Sequence, residues 1–493
     1  MNNDKKSYRN ILKATSLFSG VQILSVLISI AKSKLAAILI GPTGMGIVGV
    51  LNSTLNVITG FSQLGLDVSA VKEISAFKDK DESKTIKLIN VLKRLCWITG
   101  LLGAIITFVL SSWLSELVFN NSIHTISFML LSLAVLFNQL TVGNLAILQG
   151  LRRLKKLAKA SLWGSFCSLI VIVPLYYYYG IDGIVPAIIL IAFFTYIFSW
   201  LYSRKEYIKQ PKLTLEDTIH EGKSMVRLGF VLSLGSLATI VSIYATQIFI
   251  TNKGGIEEVG FYNAAFIIIN AYVGVIFTAM SKDYFPRLSS IVNEPTKMLN
   301  VVNQQAYVAI LLLTPIIVIF LAFIPTIISI LFTKEFMPII GVLTFGILAT
   351  LFKAISWSMG YILVAKGDSK LYLITEVTFS FLLILMSVFG YVYGGLTGVG
   401  VSYLVYYVMY LIGVKIIAKS KYEFKFETKF YKALLVCIVF CFGAFLITYI
   451  NNMYLKYGLL FVFIITSSIF SINRLDKETD LVKELKKRIT KRK

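Results

Sequence analysis

Gly41-Pro42-Thr43-Gly44-Met45-Gly46 closes the first long apolar run of this chain, and Gly254-Gly255 through Gly260 recurs in the equivalent place later on. Gly46 and Gly260 stand 214 residues apart. Gln149-Gly150-Leu151-Arg152-Arg153, closing the fourth run, recurs as Lys366-Gly367-Asp368-Ser369-Lys370, closing the tenth, with the glycines 217 apart. Tyr179-Gly180-Ile181-Asp182-Gly183 recurs near Gly394-Gly395-Leu396-Thr397-Gly398, where Gly183 and Gly398 are 215 apart. Three matches at nearly one spacing argue for an internal duplication of a six-span unit, a construction common in secondary transporters. An even number of spans keeps its orientation when copied. The repeats are therefore parallel, about an axis along the membrane normal.

Hydrophobic residues make up 57% of the 493, and the mean hydropathy is +0.78. Apolar runs of spanning length recur from end to end, which defines an all-α polytopic membrane protein. A β-barrel would show short alternating segments instead. The first run has no small-residue cleavage site and leads straight into a second span, so no removable signal peptide is expected. Cys96, Cys167, Cys437 and Cys441 all lie inside apolar runs and read as small core residues, without a disulfide or metal pattern.

A net charge of +23 in a soluble chain would suggest nucleic acid, but here basic loops explain it. Spans fall near 14–40, 45–70, 92–118, 125–149, 158–180, 183–202, 226–250, 259–281, 305–332, 337–364, 371–392, 396–417, 430–450 and 455–472, fourteen in all. The loops on one side carry clusters such as Lys72, Lys78, Lys80, Lys84 and Lys87, or Arg152, Arg153, Lys155, Lys156 and Lys159. The alternate loops carry almost none, with Lys253, Lys334 and Lys456 as the exceptions. Both termini are thus expected in the cytoplasm. The expected architecture is two parallel six-helix bundles plus two C-terminal helices.

The expected domains are a first bundle over 1–202, a linker over 203–225, a second bundle over 226–418, two extra spans over 419–473 and a basic tail over 474–493. External loops are short and no extramembrane segment could bury a core, so no soluble catalytic domain is expected. In the linker, Thr214-Leu215-Glu216-Asp217 reads as a capping box opening a short amphipathic helix, either a flexible surface element or an inert connection. The two extra spans either line a lipid groove or pad the second half. The tail spaces Leu475, Val482, Leu485 and Ile489 along one face among basic residues, which suits an anionic membrane surface.

An ionisable side chain in hydrocarbon costs about 2.5 kcal/mol or more, so each deep one needs a reason. Lys32 and Lys34 lie about 9 to 12 Å inside the outer end of span one. Two positions apart on a helix turns them roughly 200° from each other. At least one should line a water-filled path, the other reading being snorkelling or structural pairing. Lys13 pairs with Arg227 across the duplication, and Asp67 with Asp283, at inner span ends where interface salt bridging would serve equally well. Lys353, midway along span ten, is the deepest cation of the second half, and Glu376 in span eleven is its acidic counterpart by depth. That acid would exchange a proton during transport or hold Lys353 charged. Deep cations outnumber deep acids, a bias that suits a phosphate or pyrophosphate group.

Polar residues on the same spans with room for sugars are Asn52, Asn56, Gln63, Asn138, Gln139, Asn144, Gln247, Asn263 and Asn270. No phosphate-cradling glycine loop is present, so direct ATP hydrolysis is not expected. His124 and His220 stand apart without ligand spacing, and no nucleophile sits near a base. Neither an enzyme nor a resident metal or cofactor is expected.

Lys34 through Gly46 resembles the signature ending span one of bacterial O-antigen and enterobacterial common antigen flippases. So do Leu64-Gly65-Leu66 with Val71-Lys72-Glu73-Ile74, Leu148 through Arg153, and Val259-Gly260-Phe261-Tyr262-Asn263-Ala264-Ala265. Met280 through Leu288 is similar to the run that closes span eight there. These motifs cover residues 14 to 400 and point to the polysaccharide-transporter branch of the multidrug/oligosaccharidyl-lipid/polysaccharide (MOP) exporter superfamily. The resemblance implies a V-shaped pair of bundles in a bacterial cytoplasmic membrane. It further implies an undecaprenyl-pyrophosphate-linked oligosaccharide carried to the outer leaflet by alternating access, with cationic residues holding the pyrophosphate. The two extra spans depart from the common O-antigen pattern and leave other lipid-carrier branches open, peptidoglycan-precursor flippases among them.

The expected function is therefore a lipid-linked oligosaccharide flippase driven by a proton or sodium gradient. Lys32, Lys34, Arg227 and Lys353 would hold the pyrophosphate. Asn52, Asn56, Asn138, Gln139, Gln247 and Asn270 would contact the glycan, and Asp67, Asp283 or Glu376 would couple the ion. Expected partners are the lipid-linked glycan, membrane lipids, a glycan polymerase and a chain-length regulator, but no nucleic acid. A drug/cation antiporter of the same superfamily should favour deep acids, the reverse of what is seen. A membrane glycan polymerase would need a sizeable external loop.

Overall fold

The computed structural model describes residues 2–78, 80–204, 214–274 and 294–479, with isolated positions between 276 and 291. Among these residues the chain is helical and contains no strand. In a bilayer a helix satisfies its own backbone hydrogen bonds, which is why apolar runs of this length adopt no other form. Ten continuous helical stretches are long and apolar enough to cross a membrane. Three of them contain an internal break that divides each into two crossing lengths. Each of the fourteen expected spans coincides with a helix, the eighth being described only in part. This is an all-α, multi-pass membrane protein.

The helices are α1 (Asn2–Gln63), α2 (Leu66–Phe77), α3 (Glu82–Val109), α4 (Ser111–Phe119), α5 (Thr125–Gly150), α6 (Leu154–Tyr179) and α7 (Ile184–Ser203). They continue with α8 (Leu215–Gly254), α9 (Ile256–Phe266) and a π-helical turn (Ile267–Val273). After the partly described stretch come α10 (Pro295–Leu331), α11 (Ile340–Lys366), α12 (Ser369–Tyr422), α13 (Thr428–Ile447) and α14 (Met453–Thr479). The contacts divide the chain into two compact units, residues 1–263 with 331–335, and residues 264–330 with 336–493.

The duplication is written into the backbone. Gly41 interrupts α1 with φ +61°, and Gly255 separates α8 from α9 with φ +89°. Gly180, after α6, has φ +55° and ψ −125°, and Gly395, inside α12, has φ +54° and ψ −144°. Arg152, after α5, has φ +55°, and Gly367, after α11, has φ +73°. The pairs are 214, 215 and 215 residues apart. Sequence matching had set Gly150 against Gly367. The backbone instead sets Arg152 there, because the left-handed residue that ends the helix is the equivalent point, whatever its side chain.

Span two ends earlier than its hydropathy suggests. Leu64 and Gly65 both take positive φ, so α1 stops at Gln63 and α2 begins afresh at Leu66. Glycine is needed at 65 because a Cβ there would overlap the backbone of Gly229 on α8. Span three is divided at Leu110 into α3 and α4, and α10 carries a non-helical residue, Phe323, two positions before Pro325. The linker helix is not a separate element. Leu215 opens a single 40-residue helix that runs through span seven to Gly254. Residues 205–213 and most of the basic tail lie outside the described residues.

In the first unit, Leu66, Ile74, Leu88, Leu92, Ile147 and Met225 join α2, α3, α5 and α8 in one core. Polar ties reinforce the start of α8. Arg94 donates to the Thr214 carbonyl and the Thr218 hydroxyl at 3.3 and 3.1 Å. Lys87 lies 3.8 Å from Glu221, and Ser224 donates to Glu73 at 2.6 Å. Burial pushes the Glu73 carboxyl up from its ordinary pKa, against the pull of that Ser224 hydrogen bond.

Candidate functional site

Lys353 sits in the middle of α11, as expected, and the structure shows what holds it. Its ammonium donates to Oδ1 of Asn270, in the π-helical turn, at 3.1 Å. It also lies 5.4 Å from the ring of Tyr407 and 5.7 Å from that of Phe277. Cation–π contacts of this kind contribute about 0.5–2 kcal/mol each, depending on desolvation. Glu376 is not its partner. The Glu376 carboxylate accepts a hydrogen bond from Tyr410 at 2.9 Å, in a pocket of about 320 Å³ that includes Trp357, Tyr361, Tyr372 and Thr375. Among the described residues the Lys353 ammonium thus has an amide and two rings beside it and no carboxylate partner.

Sequence reasoning missed the tyrosines around it. Tyr403, Tyr406, Tyr407 and Tyr410 on α12 pack edge-to-face or stacked, with Phe379 against Tyr406 and Tyr410. Their i, i+3, i+4, i+7 spacing marks one helix face and was the available signal. Next along α11, Trp357 and Tyr361 pack with Tyr284, whose hydroxyl donates to the Ser358 carbonyl at 2.6 Å. Asn270 is exposed beside Lys353, and of the expected glycan-contacting residues it alone touches an expected cation.

The first-half cations part company, as their 200° separation requires. Lys34 donates to the backbone carbonyl of Phe332, the structural pairing that stood as the alternative to a cavity role. Lys32 turns into a different space, a cavity of about 320 Å³ walled by α5, α6 and α7. Arg227 is exposed near the start of α8. Asp67 is exposed in the first turn of α2, a favourable place for an acid at a helix N-terminus. Asp283 lies outside the described residues.

The expected amides divide likewise. Asn52 and Asn56 are exposed and Asn138 is half-buried. Gln139 is buried and donates to Thr99 at 2.8 Å, tying α5 to α3. Gln247 is buried and donates to Asn263 at 2.6 Å, tying α8 to α9. Both amides thus bond a neighbouring helix. Asn144 is also buried, between Ser199 and Ser203 of α7. Gln63 is half-buried. The four cysteines are free, and no cluster of metal-ligating side chains exists among the described residues.

The fold has known counterparts. An inward-facing multidrug resistance MATE family transporter of the MOP superfamily matches with a TM-score of 0.70 at 14% identity, over 83% of this chain and 98% of its own. The lipid II flippase MurJ, in an inward closed conformation, matches with a TM-score of 0.70 at 14% identity, over 96% and 100%. MATE in a bent conformation matches with a TM-score of 0.58 at 15% identity, over 86% and 97%. No curated protein sequence matches the chain. The fold is the one shared by these solved membrane proteins. Residues 35–341, more than half of the sequence, match the profile of the polysaccharide biosynthesis protein family, and the chain belongs to that family.

Proposed function

We propose that the chain is a flippase for an undecaprenyl-pyrophosphate-linked oligosaccharide, moved from the inner to the outer leaflet by ion-coupled alternating access. The observation that carries this reading is the Lys353 site. An ammonium held by an amide oxygen and aromatic faces, with no carboxylate against it among the described residues, is available to an incoming anion. A diphosphate supplies that anion. The tyrosine face of α12 offers flat apolar surface and hydroxyls of the kind that sugar rings can pack against. Membership of the polysaccharide biosynthesis family supports a glycan cargo. A solved lipid II flippase of the same fold supports a lipid-carrier mode of transport.

In this reading Lys353 is the principal anchor of the pyrophosphate and Arg227 an accessory cation. Lys34 stabilises the protein through its carbonyl contact. Glu376, held by Tyr410, is the candidate for coupling to a proton or sodium gradient, with Asp67 and Asp283 as further acids. A polymerase and a chain-length regulator would act on the delivered glycan. The test is Lys353→Ala in a strain whose surface polysaccharide depends on this protein. Surface polymer should fall at least tenfold and carrier-linked glycan should build up on the cytoplasmic side, with protein abundance unchanged. Undiminished polymer at normal abundance would remove Lys353 from the mechanism.

A further inference from the structure

The Lys32 cavity needs an occupant of its own. Its walls are hydroxylated: Ser161, Ser165 and Ser168 on α6, and Thr195 and Ser199 on α7. Three of these hydroxyls are committed within their own helices. Ser168 donates to the Ser165 carbonyl at 2.6 Å, Thr195 to Ile191 at 2.7 Å and Ser199 to Tyr196 at 2.8 Å. Ser161 and Ser165 make no side-chain hydrogen bond among the described residues and face the cavity with protons to donate. Lys32 likewise has no hydrogen-bond or ion-pair partner among them. The walls stand close, because Gly164 lets α6 approach Thr195 of α7, where a Cβ would come within 3.2 Å of the threonine methyl.

We propose that this cavity binds a small inorganic anion, held by the Lys32 ammonium and the Ser161 and Ser165 hydroxyls. A positive charge set deep in a membrane helix needs a counter-charge, and no carboxylate among the described residues supplies one here. A cation would be repelled by the ammonium. A neutral ligand would leave the charge uncompensated. An anion answers the charge and uses both free hydroxyls, and hydrogen bonds to an ion are the strong ones. About 320 Å³ admits chloride or phosphate with water. The site lies within the first unit and is separate from the Lys353 site, so the inference stands or falls independently of the flippase reading.

The test is the melting midpoint of the purified full-length protein in detergent, titrated with sodium chloride or sodium phosphate against gluconate at matched ionic strength and pH. The wild-type midpoint should rise saturably with chloride, phosphate or both, and not with gluconate. Measured in a Lys353→Gln background, so that the site proposed for the pyrophosphate does not contribute, Lys32→Gln should abolish the rise. Should Lys32→Gln fail to fold, the double variant Ser161→Ala with Ser165→Ala decides, with an apparent affinity about a hundredfold weaker expected, about tenfold for each of the two lost charge-assisted hydrogen bonds. An identical midpoint in all three salts overturns the proposal. So does a saturable rise that survives in Lys32→Gln within the Lys353→Gln background, or an unchanged affinity in the double serine variant in that background.

Discussion

A lysine inside a membrane protein can be steadied by an acid or by dipoles and rings, and the choice decides what it can do next. An acid cancels the charge. Asn270 and the rings of Tyr407 and Phe277 steady Lys353 while leaving it positive. Asn270→Asp should therefore neutralise the site by forming an ion pair, and lower glycan export several-fold at normal abundance, whereas Asn270→Ser should be milder. Quantifying surface polymer in the two strains checks this, and equal export would mean that the net charge at Lys353 is irrelevant. Lys353 was legible in the sequence because a single cation stands in the middle of an apolar run. Its partners were not, since Asn270 and Tyr407 lie 83 and 54 residues away along the chain. The amides show the opposite difficulty. Gln139 and Gln247 looked like cavity residues, but an amide in an apolar span serves equally well to bond a neighbouring helix, and only packing separates the two roles.

At the scale of elements, small residues decide where helices meet. A Cβ on Gly46 would overlap the Ile256 carbonyl, and one on Gly260 would overlap the Pro42 carbonyl. The two copies of the opening motif thus pack against each other through their glycines. The later motif also repeats its packing, with Gly183 against the Leu175 carbonyl and Gly398 against the Gly390 carbonyl. Gly46→Ala should cost about 1–3 kcal/mol through overpacking and lower the melting midpoint. Gly458→Ala, with nothing within 4 Å of the added carbon, should leave it unchanged or raise it slightly. Equal midpoints for the two variants would show that the Gly46 contact is loose. Spans and motif glycines were readable because hydropathy and spacing are local properties. The break at Leu64-Gly65 was not, because it answers to the backbone of Gly229 on α8, and those at Leu110 and Phe323 fall inside runs whose hydropathy reads as continuous.

For the whole molecule, the asymmetric distribution of basic residues predicts membrane sidedness. In a variant without Cys96, Cys167, Cys437 and Cys441, new cysteines at Lys253 and Lys334 should react with an impermeant maleimide in intact cells. Cysteines at Arg153 and Lys370 should react only after the membrane is opened. The reverse pattern would invert the direction of transport proposed above. The 40-residue α8 bears on how such transport is driven. At 1.5 Å per residue it is about 60 Å long, roughly twice the thickness of the hydrocarbon. No proline or non-helical residue interrupts it, and its first turns are tied to α2 and α3. Over that length a tilt of about 10° corresponds to a displacement of roughly 10 Å between its two ends.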